Sequence, residues 1–147
     1  MKRTIAFLVS VFTLISVYAE GPIDGLLDRI DCGLSRKLSV EIQPGTDDFF
    51  ELSQRGDRPH ITANNKVSAA TGVHWYLKYH AGVMLTWDNM HVELPDTLPA
   101  IDGVERHTAN VPMRYYLNYC TYSYSIPFWS HERWQEEIDW MALHGIN

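Results

Sequence analysis

The sequence predicts a small α+β domain, with a mainly antiparallel sheet and helices on one face, followed by a single β-α unit. Segments of alternating polarity, typical of half-buried strands, stand between two segments with helical spacing of apolar residues. The order of elements is α-β-β-β-α-β-β, and its simplest packing places the helices on one face of a sheet. After a proline-containing interval, an aromatic strand-like run and an amphipathic helix follow.

Residues 1–19 have the pattern of a secretory signal peptide. Lys2 and Arg3 precede a short apolar run, and Ala19 supplies the small residue at the end of the segment. The run is shorter than the roughly 20 apolar residues that cross a membrane, and it lacks the amphipathic period of a buried helix. We therefore expect cleavage after Ala19 and an exported protein, located in the periplasm, on the cell surface or outside the cell.

Residues 20–94 are predicted to form the N-terminal domain. The expected elements are a helix over residues 23–34, strands over residues 38–43, 48–53 and 59–64, a helix over residues 66–80, and a hairpin over residues 83–95. Gly82 is expected to end the second helix, and Asp88-Asn89 to form the hairpin turn. Arg55-Gly56-Asp57 matches an adhesion tripeptide, but Gly-Asp is ordinary turn chemistry, and we expect a turn there.

The C-terminal part of the chain changes character. Residues 95–112 contain three prolines and no periodicity, which predicts a linker. Residues 113–125 are rich in β-branched and aromatic side chains and predict a strand. In the helix that follows, Ser130 is a suitable N-cap and Gly145 a suitable end. Its buried stripe is expected to comprise Trp134, Ile138, Met141 and Ala142. Because a parallel strand needs a sheet, residues 113–147 are expected to be the truncated start of a larger domain.

Charge and composition exclude several classes of partner. The net charge of −6 disfavours nucleic acid and anionic membranes. The histidines predict no metal site, because His74 and His80 are six residues apart in the sequence rather than three or four. No cofactor or metal is therefore expected. Cys32 and Cys120 are the only cysteines, and a single disulfide between them is an alternative in an exported protein.

Two runs in the last quarter of the chain carry a specific pattern. They are "RYYLNYCTYSYS", residues 114–125, and "RWQEEIDWMALHGIN", residues 133–147. Both resemble the opening of the catalytic barrel in the alpha-N-acetylglucosaminidase family, lysosomal and bacterial exo-glycosidases that remove terminal α-linked N-acetylglucosamine. Upstream, "ATGVHWYLKYH" at residues 70–80 resembles a helix of the N-terminal domain in that family, with lower specificity.

The resemblance implies a small α/β domain, then a (β/α)8 barrel with its active site at the C-terminal ends of the strands, then a helical domain. It identifies residues 113–147 with the first strand and helix of that barrel. By motif match it implies that Asn118, Cys120 and Tyr124 line the pocket for the terminal N-acetylglucosamine. The polar residues of this strand-like run would then be hydrogen-bond partners of a sugar.

The reaction implied by the resemblance is retaining glycoside hydrolysis by two carboxylates about 5–5.5 Å apart. In the family both glutamates lie on later barrel strands, so this chain is expected to be inactive alone and to need the rest of its own barrel as a partner. The carboxylates of the C-terminal helix are expected to be solvated or salt-bridged rather than catalytic; they are Glu132, Glu136, Glu137 and Asp139.

Alternatives remain open at this point. The chain could be an exported, non-catalytic module that binds glycan or protein. Cys120 could be a nucleophile, although the sequence places no histidine near it. Asn118 and Tyr124 could be ordinary packing residues of a strand. Tyr122 and residues 126–128 depart from the family pattern, which leaves the edge of the implied pocket open.

Overall fold

A computed structural model describes the protein over residues 21–117 and 120–147, and the predicted signal peptide lies outside these residues. The helices are α1 (Asp24–Ile30), α2 (Leu34–Lys37), α3 (Lys66–Tyr79), α4 (Thr121–Tyr124) and α5 (His131–Leu143), with a 3-10 turn at Ile126–Phe128. The strands are β1 (Ser39–Ile42), β2 (Phe49–Arg55), β3 (Arg58–Ala63) and β4 (Glu105–Thr108). None of the helices in the described residues combines the length and hydropathy that a membrane span requires.

The described residues contain one four-stranded sheet with the order β1-β3-β2-β4. β1 runs parallel to β3, whereas β2 is antiparallel to both β3 and β4. Two of these three pairings are antiparallel, which confirms the predicted α+β class. The tripeptide Arg55-Gly56-Asp57 forms the β2–β3 turn, and Gly56 has φ +65°, a conformation that favours glycine.

Helix α3 covers one face of the sheet at close range. Phe50 and Leu52 of β2 lie opposite Ala63 and Ile61 of β3, and all four belong to the core. A Cβ atom built on Gly72 of α3 would lie 2.9 Å from Ile61 Cγ2 and 3.1 Å from Phe50 Cβ. The helix therefore approaches the sheet at a distance that only glycine permits.

The predicted first helix is divided in two. Gly33 adopts φ +87°, which interrupts the helical backbone between α1 and α2. Leu27, Ile30 and Leu34 remain buried in the common core. The apolar periodicity therefore marks the buried residues correctly, but it does not report the break at Gly33.

The predicted hairpin over residues 83–95 is not formed. The only ladder contact among these residues is an isolated bridge between Thr86 and Asn89. Leu85, Met90 and Leu94 are instead buried in the core as parts of an irregular loop. The hairpin prediction is wrong because this segment buries single apolar residues in the core rather than pairing two strands.

The segment predicted as a linker contains β4, the edge strand of the sheet. Glu105–Thr108 pairs with residues 49–52 of β2, and Leu98 and Ile101 upstream are buried. Glu105 also holds the segment to α3, because its carboxylate accepts a hydrogen bond of 2.8 Å from Trp75 Nε1 and bonds His80 Nε2 at 3.0 Å. These residues are therefore part of the N-terminal sheet.

The predicted strand over residues 113–125 also differs from the structure. Residues 113–117 have no regular secondary structure, and Thr121–Tyr124 is the short helix α4. A strand is stabilised by hydrogen bonds to a neighbour. The described residues supply one such backbone contact to the segment, from Asn147 N to Arg114 O at 3.3 Å.

Helix α5 has the predicted ends but a different buried face. Ser130 Oγ accepts a hydrogen bond of 3.3 Å from Arg133 N, and Gly145 with φ +78° follows the last turn. The predicted stripe is wrong at Ile138, which is 55% exposed. The buried residues of α5 are Glu137, Asp139 and Leu143. Two carboxylates can be buried because arginines pair with both of them.

Candidate functional site

Two of the three predicted sugar contacts lie together on one exposed turn. Ser123 N donates a hydrogen bond of 3.0 Å to Cys120 O, which starts the turn of α4. Cys120 directly precedes α4 and Tyr124 is its last residue. Cys120 is exposed and Tyr124 is 78% exposed. Asn118, the third predicted contact, lies outside the described residues.

Arg114 precedes this turn in the sequence, and its side chain forms hydrogen bonds with three groups. Arg114 Nη2 lies 2.6 Å from Asp48 Oδ2, and Nη1 donates to Val111 O at 2.8 Å. Arg114 Nε donates to Gly145 O. The guanidinium therefore joins the N-terminal sheet, the segment before the turn and the end of α5.

The backbone of Arg114 contacts the last residue of the chain. Arg114 N donates to Asn147 Oδ1 at 3.0 Å, and Arg114 O accepts from Asn147 N at 3.3 Å. Residues 114 and 147 thus lie side by side, with α5 between them in the sequence. This is the arrangement that begins a β-α-β unit with parallel strands.

The carboxylate of Asp48 is fixed by two asparagines at the start of α3. Its Oδ1 accepts hydrogen bonds from Asn65 Nδ2 at 2.7 Å and Asn64 Nδ2 at 3.2 Å. Asn65 also caps α3, because its Oδ1 accepts a bond of 2.8 Å from Ser68 N. The hydrogen bond from Arg114 is the largest influence that lowers the pKa of the Asp48 carboxyl from its ordinary value of 3.8.

Gly145 allows the close contact between α5, α3 and Arg114. Its positive φ places a Cβ atom, if one were present, 3.3 Å from Thr71 Oγ1 and 3.7 Å from Arg114 Nε. Thr71 Oγ1 in turn lies 3.3 Å from Ala142 O. A side chain at position 145 would therefore strain the backbone and crowd Thr71 Oγ1.

The residues that follow the exposed turn are anchored to α5. Ile126 is buried, and the Trp129 ring meets Trp134 at a centroid distance of 5.3 Å. The guanidinium of Arg133 lies 4.4 Å from the ring centroid of Trp129 and 4.7 Å from that of Trp87. These cation–π contacts fix the end of the segment, as Arg114 fixes its beginning.

Glu137 is a buried carboxylate that contacts both Arg133 and Trp87. It is fully buried, and its Oε2 accepts bonds of 2.8 Å from Arg133 Nη2 and 2.7 Å from Trp87 Nε1. Asp139, on the same helix, receives Arg29 through both oxygens at 2.6 and 2.7 Å. Both carboxylates are therefore salt-bridged, as the sequence predicts.

No metal site is found in the part of the chain that the structure describes, where no group of three or more suitable side chains comes together. Cys32 is a free, exposed thiol, so the disulfide kept as an alternative is not formed there. Sequence reasoning missed Asp48, Arg114 and Arg133. The available signal was weak, since Arg114 opens the motif that predicts the site but no spacing connects it with Asp48.

Comparisons with known proteins agree with this arrangement. The model of the alpha-N-acetylglucosaminidase (NAGLU) N-terminal domain matches residues 21–100, and the model of the tim-barrel domain matches residues 114–147. The chain belongs to the alpha-N-acetylglucosaminidase family. The predicted recognition and the predicted fold class, an α+β domain followed by the start of a barrel, are thereby confirmed.

Two relatives illustrate the family. Human alpha-N-acetylglucosaminidase is 37% identical over 117 residues, which cover 80% of this chain and 16% of the relative. A family 89 glycoside hydrolase from Clostridium perfringens, solved with 2-acetamido-1,2-dideoxynojirmycin, is 33% identical with a TM-score of 0.80. That match covers 85% of this chain and 15% of the relative. The same bacterial enzyme, in a substituted form, was also solved with its substrate GlcNAc-α-1,4-galactose.

Proposed function

We propose that this chain is the N-terminal part of an exported glycoside hydrolase that removes terminal α-linked N-acetylglucosamine. The observation that carries this proposal is the match of residues 114–147 to the barrel of a family whose bacterial member binds GlcNAc-α-1,4-galactose as its substrate. The chain spans only 15–16% of the length of these relatives. The activity therefore belongs to the whole enzyme, with the retaining two-carboxylate mechanism of its class.

In this proposal Asn118, Cys120 and Tyr124 form one wall of the pocket for the terminal sugar. An amide, a thiol and a phenol offer donors and acceptors for sugar hydroxyl groups, and the phenol adds an aromatic face. The exposure of Cys120 and Tyr124 on one turn supports this role, because neither side chain is withdrawn into the core.

The catalytic carboxylates are proposed to come from later barrel strands. The buried carboxylates of α5 support this assignment, because Glu137 and Asp139 are both engaged by arginines. Each of these carboxylates is buried against an arginine, so neither is open to contact a substrate. The chain alone is accordingly proposed to be inactive, with the rest of the barrel as its partner.

The test is hydrolysis of an aryl α-N-acetylglucosaminide by two proteins. One is the 147-residue chain, from which we expect no release of the chromophore. The other, which we call the joined enzyme, places residues 21–147 ahead of the remaining part of the C. perfringens chain, and we expect turnover. Turnover by the short chain alone would contradict the proposal, as would a joined enzyme that neither binds nor cleaves the substrate.

Export is proposed from the N-terminal segment, with Lys2 and Arg3 ahead of an apolar run and Ala19 at the cleavage point. We expect the mature protein to begin at Glu20 and to be recovered from the periplasm, the cell surface or the medium. N-terminal sequencing of the protein after expression tests this. Retention of Met1 in a cytoplasmic protein would contradict it.

A further inference from the structure

We propose that Asp48 is a positioning residue, through which the N-terminal sheet sets the place of the exposed turn that carries Cys120 and Tyr124. The contact that transmits this effect is the 2.6 Å pair between Asp48 Oδ2 and Arg114 Nη2. The inference rests on the proposed function, because it assigns Asp48 a part in the sugar affinity of the same site. Asp48 itself does not touch the sugar in this proposal.

Asp48 is suited to this role because its own position is fixed. Asn64 and Asn65 hold one carboxylate oxygen, and Ala109 N donates to Asp48 O at 2.8 Å. Ala109 directly follows β4, and Asn65 caps α3. The carboxylate is therefore attached to the sheet and to a helix at the same time, and its second oxygen faces Arg114.

Arg114 depends on Asp48 for its only charged partner among the described contacts of its side chain. Its other two side-chain contacts are the carbonyl oxygens of Val111 and Gly145. Both side chains of the ion pair are mostly buried, with 19% and 22% exposed, and charge-assisted hydrogen bonds are about twice as strong as neutral ones. Loss of Asp48 would leave a mostly buried guanidinium whose remaining acceptors are neutral.

The exposed turn lies between two anchors. Arg114 is the anchor before it, and Ile126 with Trp129 forms the anchor after it. The second anchor is attached to α5 through Arg133. The first contacts the N-terminal sheet through Asp48 and the residues after α5 through Gly145 O and Asn147. Cys120 lies six positions after Arg114, and in this proposal a shift at the first anchor moves the turn.

A positioning role and a merely structural role predict different changes in KM and kcat. If the turn contacts the sugar equally in the ground state and in the transition state, its displacement raises KM and leaves kcat unchanged. If Asp48 only maintained the fold, the active fraction would fall, so the apparent kcat would drop with KM unchanged. The two roles are therefore distinguished by which constant changes.

The first arm of the test uses the chain as it is. Its only two cysteines are Cys32, beside α1, and Cys120, on the turn, so spin labels on both report the distance from the N-terminal domain to the turn. We expect a narrow distance distribution in the native chain and a clearly broader one in Asp48→Asn. Arg114→Lys changes the other member of the same ion pair and should broaden the distance distribution likewise.

The matched control is Asp139→Asn, which breaks another short carboxylate–arginine pair, with Arg29 at 2.6 Å, that does not include Arg114. We expect it to lower stability without broadening the distribution. An unchanged distribution in both Asp48→Asn and Arg114→Lys would overturn the inference, as would equal broadening in the control. If Asp48→Asn fails to fold, Arg114→Lys decides the question.

The second arm measures kinetics in the joined enzyme. Asp48→Asn is expected to raise KM about tenfold with kcat within about twofold, the signature of lost uniform binding, and Asp139→Asn to leave KM unchanged. A lower apparent kcat with native KM would assign Asp48 a structural role only. If the native joined enzyme does not bind or cleave the substrate, the proposed function fails, and the spin-label arm still decides whether Asp48 positions the turn.

Discussion

Asp48 and Arg114 form an ion pair of 2.6 Å between the start of β2 and the segment that matches the catalytic barrel. The pair joins two regions that the family models match separately, residues 21–100 and residues 114–147. The pair therefore connects the N-terminal sheet with the segment that leads to the turn proposed to hold the sugar.

Replacement of Asp48 by Asn should lower the stability of the chain. The variant loses a mostly buried ion pair, and we expect a decrease of about 1–2 kcal/mol in the free energy of unfolding. Urea denaturation measures it. Glu41→Gln is the control, because Glu41 and Arg55 form an exposed pair at 2.9 Å, and such pairs contribute little. An equal decrease in the free energy of unfolding of the two variants would contradict the claim that burial strengthens the Asp48–Arg114 pair.

Gly72→Ala tests the close packing of α3 on the sheet. The new Cβ would lie 2.9 Å from Ile61 Cγ2 and 3.1 Å from Phe50, so we expect a loss of about 1–3 kcal/mol from overpacking.

The matched control is Gly25→Ala in α1. A Cβ at Gly25 meets only Arg29 Nη1, at 3.3 Å, and alanine is favoured over glycine in a helix by roughly 1 kcal/mol. We expect the control to be neutral or stabilising in thermal unfolding. If Gly72→Ala is as stable as the native chain, the helix does not approach the sheet as described.

Glu137→Ala tests the buried carboxylate that binds Arg133 and Trp87. The change leaves Arg133 without its 2.8 Å partner and Trp87 Nε1 without its acceptor, and removal of one member of a buried ion pair costs about 3–5 kcal/mol. Glu136→Ala, one residue away and 44% exposed in its side chain, should have little effect. Chemical denaturation of both variants measures the difference, and similar stabilities would show that Glu137 is not important for the fold.

His74 should make stability depend on pH in a mildly acidic window. Burial between α3 and α5, together with repulsion from His144, lowers the pKa of His74 from 6.5 to about 4. His74 therefore binds a proton more readily in the unfolded chain than in the folded one. The stability that the neutral, buried His74 contributes is complete above pH 6.5 and is lost as the pH falls towards 4. The full loss is on the order of 3 kcal/mol.

Unfolding in urea at several pH values between 7 and 4 measures this effect. His74→Asn should flatten the dependence in that window, whereas His131→Asn, at an exposed position on α5, should leave it unchanged. Asp48 and Glu105 act in a lower window. Their lowered pKa values stabilise the fold above their ordinary values of 3.8 and 4.5, and that contribution disappears as the pH falls further. An unchanged slope in His74→Asn would contradict the assignment to His74.

The elements that sequence reasoning predicted well are those with local signals. Helix α3 and helix α5 have helical spacing and a glycine beyond the last turn, at Gly82 and Gly145, and the β2–β3 turn has its Gly56-Asp57 pair. These signals act over a few residues, so they survive in any tertiary setting. The pattern of the closing segment is likewise local, and its residue order alone is enough to indicate the family.

The features that were missed depend on tertiary contacts. The edge strand β4 carries Glu105, Arg106, His107 and Thr108, and a polar edge strand has no hydrophobic alternation to reveal it. The buried face of α5 contains Glu137 and Asp139 because arginines pair with both of them. The pair of Asp48 with Arg114 spans 66 positions, and no local pattern connects the two residues.

The most direct test of the central claim is the KM for an aryl α-N-acetylglucosaminide in the joined enzyme, measured with and without Tyr124→Ala. We expect turnover by the native protein and a KM about tenfold higher in the variant, which loses a hydrogen bond and an aromatic contact to the sugar. Failure of the native joined enzyme to bind or cleave the substrate, or an unchanged KM in the variant, would contradict the assignment of this turn to the sugar pocket.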